Sequence, residues 1–166
     1  MSAGESADAT LGPDRTSEQR AERGRAVMAE VMQCPLPEFI GEPGTLGHLA
    51  AEQVFGGLWE RLELTRRERR LVTLTVLAVL GQDRLHAPLH IKAALDSDDL
   101  TEPEVREVAV QVAYYAGWPL ASSFDAAVDR AVGRHDAYDM VSDLATGPAR
   151  SAGTESATAG PGSTQR

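Results

Sequence analysis

From Thr16 to Leu144 the apolar positions of this chain recur at helical spacing, and nowhere do they show the two-residue alternation of a half-buried strand. Thr16-Ser17-Glu18-Gln19 forms a capping box, and the helix behind it carries Val27, Met28, Val31 and Met32 on one side. Cys34-Pro35-Leu36-Pro37 ends that helix, because proline cannot continue it. Leu46 to Leu58 predicts a second helix with Leu49, Ala50, Val54, Phe55 and Leu58 on one side. Thr65-Arg66-Arg67-Glu68 is another capping box, and it opens a third helix in which Leu71 to Leu80 is almost wholly apolar. A helix apolar on every side is expected to lie buried among others, with the imidazoles just beyond Gly81 near the interior.

The second half follows the same grammar. Pro88 suits the first turn of a fourth helix, continued by Leu89 to Leu95. Thr101-Glu102-Pro103-Glu104 caps a fifth, with the stripe Val105, Val108, Ala109, Val112, Ala113 and Ala116, ended by Gly117. Pro119 starts a sixth carrying Leu120, Phe124, Ala127, Val128 and Ala131 up to Gly133, and a weaker seventh spans Asp136 to Leu144. The expected fold is all-α, a bundle of six or seven helices. Residues 1–15 and 146–166 are small, polar and rich in Gly, Ser, Thr, Ala and Pro, so both are expected to be disordered tails flanking one domain, 16–145.

Composition narrows the classes of function. With 166 residues, 42% hydrophobic and 25% charged, one domain of ordinary core size is expected. A net charge of -9 argues against nucleic acid as a partner, since phosphate binding needs a basic surface. No segment supplies the roughly 20 apolar residues of a membrane span, and the acidic residues among the first thirty leave no secretory h-region, so a cytoplasmic location is expected. The single cysteine, Cys34, excludes a CxxC redox pair and reads as a small buried filler.

Four stretches carry a resemblance: Phe55-Gly56-Gly57-Leu58-Trp59-Glu60-Arg61, then Arg69-Arg70-Leu71-Val72-Thr73-Leu74, then His90 with Ala93-Ala94-Leu95, and Tyr114-Tyr115-Ala116-Gly117-Trp118-Pro119. From about Gly24 to Val132 the chain resembles the carboxymuconolactone decarboxylase family. The resemblance implies an orthogonal helical bundle of the alkylhydroperoxidase D-like type, assembled as a trimer or hexamer. It also implies a lyase that needs no cofactor and acts on a small carboxylated or aromatic compound. The related peroxidase branch uses CxxCxxxH, where this chain reads Asp83, His86 and His90, so peroxidase chemistry is not expected. The decarboxylase branch usually carries glutamate at the position of His86, and its turn before the fifth helix is shorter than Asp96-Ser97-Asp98-Asp99.

Decarboxylation of a carboxylated unsaturated lactone leaves an electron pair that the ring carbonyl absorbs, so the protein has to bind anions, stabilise an oxyanion and return a proton to carbon. Histidine is the natural proton carrier near neutral pH, which makes His90 the candidate general acid and His86 its assistant. Arg61, Arg67 or Arg69 are candidates to clamp a second carboxylate, although five arginines in ten residues equally suit a solvated face or subunit salt bridges. Trp59, Tyr115 and Trp118 are candidates to line a pocket for a flat ring, Tyr115 also as an oxyanion donor. His86 and His90 lie four apart, but no third ligand is evident and no metal is expected. Two other functions compete with the lyase: tailoring of an aromatic or polyketide-like substrate by acid/base or oxidative chemistry, and small-molecule binding without turnover.

Overall fold

Residues 16–35 and 42–134 are described by the computed structural model, and among them every regular element is helical. The expected tails, the weaker helix over 136–144, and His135 lie outside these residues. The helices are α1 (Ser17–Met32), α2 (Leu46–Leu49), α3 (Arg66–Val79), α4 (His86–Asp96), α5 (Glu102–Tyr115) and α6 (Trp118–Ala131). All the described residues fall within one compact unit. The capping boxes close as the sequence predicts. Thr16 and Gln19 exchange hydrogen bonds of 3.0 and 3.3 Å, Thr65 and Glu68 bonds of 2.7 and 3.3 Å, and the Glu104 carboxylate accepts from Thr101 N and Oγ1 at 2.8 and 2.9 Å. Gly117 and Gly133, at φ 106° and 72°, end α5 and α6 in a conformation that side-chain-bearing residues avoid.

Two apolar clusters organise the interior. The larger is built from Leu74 and Ala78 of α3, Ala87, Ile91 and Ala94 of α4, the stripe from Val105 to Ala113 of α5, and Phe124, Ala127 and Val128 of α6. The smaller holds Val27 and Val31 of α1 with Phe55, and Met28, Met32 and Trp59 pack on it.

The expected second helix is not continuous. Leu46–Leu49 is α-helical, Ala50–Phe55 widens into π-helical turns, and Leu58–Glu60 is a 3-10 turn. The cause lies in α1. A Cβ at Gly24 would stand 1.7 Å from the Ala51 carbonyl oxygen, and one at Gly56 would stand 2.2 Å from that of Arg20, so the two backbones touch through their glycines. Inserting the wider turn rotates the buried face to Ala51, Glu52 and Phe55, leaving the expected core positions Leu49, Val54 and Leu58 exposed.

Three further expectations are corrected. On α3 only Arg69, Arg70, Leu74 and Ala78 are buried, while Val72, Val76, Val79 and Leu80 are bare on the opposite side of this chain. Cys34 is exposed, because it follows the left-handed residue Gln33 that ends α1 rather than pointing into the cluster. Ala116, expected on the core stripe, is exposed because α5 has already ended beside it.

Candidate active site

His86 is the first residue of α4 and His90 sits one turn further on, with Pro88 at the third position, where its missing N–H costs nothing. The two rings therefore share a helix face. His86 is exposed, whereas Nδ1 of His90 is buried and has no hydrogen-bond partner among the described residues. Burial pushes the His90 imidazole down to about 4, and the charge of Arg70 and then that of His86 push the same way. His90 is thus a partly buried imidazole that stays neutral at pH 7.

Arg70 is the residue that sequence reasoning passed over. Its side chain is 0% exposed and spans the gap between the two clusters. Nε donates to Asp99 Oδ2 at 3.1 Å, Nη2 donates to the Val31 carbonyl in the last turn of α1, and the guanidinium lies 5.4 Å from the centre of the Trp59 ring. That ring in turn stacks on Phe55 at 6.2 Å. Asp99 also accepts from Ser97 Oγ at 2.9 Å, so the long turn Asp96–Asp99 has a structural task. Burial lowers the Arg70 pKa, and Asp99 opposes that shift. The signal was present in the sequence: positions 70, 74 and 78 lie on one side of a helix, and the last two are core.

The other candidate residues are dispersed. Trp59 packs beneath Arg70. Arg67 is bonded to Glu104, Arg69 donates to the Arg61 carbonyl at 3.0 Å, and Arg61 meets Glu63 at 3.2 Å, so each would have to exchange a partner to clamp a substrate. Tyr115 is 84% exposed. Trp118, 70% exposed, lines a cleft of about 440 Å³ between α5 and α6 with Tyr114, Val110 and Ser122, and neither histidine is among the lining residues. At its edge Arg106 is bonded to Glu102, Asp125 and Asp129 at 2.9, 2.6 and 2.6 Å.

The sequence profile described as the Carboxymuconolactone decarboxylase family matches residues 48–130, the stretch that contains Arg70, His86, His90 and Asp99. The chain belongs to this family. It is 36% identical over 72 residues to the nitrosuccinic acid decarboxylase of Metarhizium robertsii, covering 43% of this chain and 48% of that protein. It is 30% identical over 95 residues to the 4-carboxymuconolactone decarboxylase of Acinetobacter baylyi, covering 57% and 62%. The chain thus spans about half to three-fifths of the length of these curated relatives. No solved structure matches it.

Proposed function

We propose that this protein is a cofactor-free carboxy-lyase that releases carbon dioxide from a small dicarboxylate carrying its own electron sink, with His90 returning the proton to carbon. Two relatives named as decarboxylases support the reaction class. Their named substrates share a chemical logic: the electron pair left by carbon dioxide passes into a nitro group in one and an unsaturated lactone in the other. Neither reaction needs a metal or an organic cofactor to hold those electrons. The protein's share is to bind the anion, exclude water and deliver one proton.

The observation that carries the reading is the partly buried His90 ring, whose buried Nδ1 has no partner among the described residues, one turn beyond the exposed His86 at the start of α4. The positive end of the α4 dipole lies at His86, although Ala87 N–H is already bonded to the Gln82 carbonyl at 2.9 Å and Pro88 has no N–H to offer. His86 is placed to meet a carboxylate at the surface. The experiment is to follow carbon dioxide release from 4-carboxymuconolactone and from nitrosuccinate. We expect turnover of at least one, and a loss of roughly 100-fold or more in His90→Gln with the fold intact. Binding of both without any release would instead favour a non-catalytic binding protein.

We also propose that a second copy of this chain covers the bare side of α3. Val72, Val76, Val79 and Leu80 form one stripe, and Leu85, just before the adjoining α4, and Leu89 within it are equally bare. With about half of each side chain exposed, these residues leave an apolar patch on the order of 500 Å², near the upper end for a monomer. A patch of that size suits the core of an interface burying about 800 Å² per partner.

A further inference from the structure

Arg70 is fully buried and His90 partly so, and the fold leaves one buried nitrogen of each without a partner. Nη1 of Arg70 has no acceptor and Nδ1 of His90 has no partner among the described residues. A buried donor left unpaired costs about 1–3 kcal/mol, and more when it is charged. Folds retain such groups chiefly where something else completes them. Arg70 on α3 and His90 on α4 belong to helices packed against each other, and after burial itself the charge of Arg70 is the strongest influence on His90.

Asp99 is the carboxylate on Arg70, and it is shared with Ser97 Oγ. His86, on the same helix, adds to the repulsion felt by His90. Among the carboxylates of the helices packed on α4, Glu30 of α1 pairs with Arg66 at 2.7 Å, Glu68 of α3 accepts from Thr65 N at 2.7 Å, and Asp125 and Asp129 of α6 both pair with Arg106 at 2.6 Å.

We propose that Arg70 and His90 together hold one carboxylate of the substrate, Arg70 through its free Nη1–H and His90 through Nδ1–H. The exposed His86 marks the side of α4 from which the anion reaches them. This deepens the lyase reading and rests on it for the identity of the anion. A carboxylate in that position removes the repulsion on His90, so the ring takes up a proton as the substrate binds. Nε2–H is then the proton available for carbon, and its delivery waits for an anionic ligand.

The test uses the full chain and succinate as a probe, with dimethyl succinate as the uncharged control, and follows the histidine ring nitrogens by proton–nitrogen NMR across a pH titration. Saturating succinate is expected to raise the His90 midpoint, about 4 in the free protein, by one pH unit or more, a tenfold gain in proton affinity. The diester is expected to leave it unmoved, and Arg70→Met to abolish the succinate effect. The site is overturned if succinate moves His86 alone, if the ester acts like the acid, or if Arg70→Met keeps the full shift. Should Arg70→Met fail to fold, the two wild-type arms decide. Carbon dioxide release is scored separately: turnover with an unmoved His90 removes this site and leaves the lyase, while a shifted His90 without turnover does the reverse.

Discussion

A histidine whose folded-state pKa lies near 4 has a direct consequence for stability. In the unfolded chain the ring titrates near 6.5. Above that pH both states are neutral and the residue is indifferent. As pH falls from 6.5 towards 4 the unfolded chain takes a proton that the folded one refuses, so stability declines, and it levels off below 4 with a loss of about 3 kcal/mol. Urea unfolding of wild type and His90→Gln at pH 7, 5.5 and 4 checks this: the variant should lack that part of the acid destabilisation, and equal pH dependence in both proteins would show a solvated ring. At this scale the sequence was half legible. The spacing of His86 and His90 puts both on one face only if the helix runs through Pro88, and α4 does begin at His86. Arg70 was hidden among its neighbours, because a run of arginines reads as a solvated face until the core stripe Leu74 and Ala78 is extended back one turn.

Among the elements, the tightest contact joins α1 to the π-helical segment through Gly24 and Gly56. A methyl at Gly24 would meet backbone that cannot turn aside as a side chain can. Gly24→Ala is therefore expected to destabilise the protein by about 3 kcal/mol or more, beyond the ordinary range of overpacking, despite the better helix propensity of alanine. Thermal unfolding measures it, and an unchanged or higher Tm would show that the two backbones do not meet there. Helix starts were legible because capping boxes and prolines are local chemistry, and four of the expected helices appear with their signalled starts. The break after Leu49 was not, since it answers to a close approach by a segment some thirty residues away. Periodicity read along Leu46–Leu58 assumes 3.6 residues per turn, and one widened turn is enough to rotate every later residue off the expected face.

For the whole molecule, the all-helical architecture followed from pattern alone, and the family match fell on the segments whose motifs suggested it. What the pattern misjudged is the surroundings of α3. An apolar run states that a surface must be covered, and it does not say whether the cover comes from the same chain. Val76→Lys places a charge in the bare stripe and should leave the fold intact while reducing the mass seen by sedimentation towards the 17.7 kDa of one chain. A wild type already at that mass would remove the proposal of a second copy. The proposed function turns on a smaller feature, the His90 imidazole in the second turn of α4, whose Nδ1 is buried. The measurement that addresses it most directly is the pH dependence of kcat/KM for carbon dioxide release, which reports the essential acid of the free enzyme. If His90 supplies the proton, kcat/KM falls about tenfold per pH unit above a midpoint near 4, while kcat of the loaded enzyme holds to higher pH. A kcat/KM that is level from pH 5 to 8, or a His90→Gln enzyme with undiminished kcat, would contradict the account.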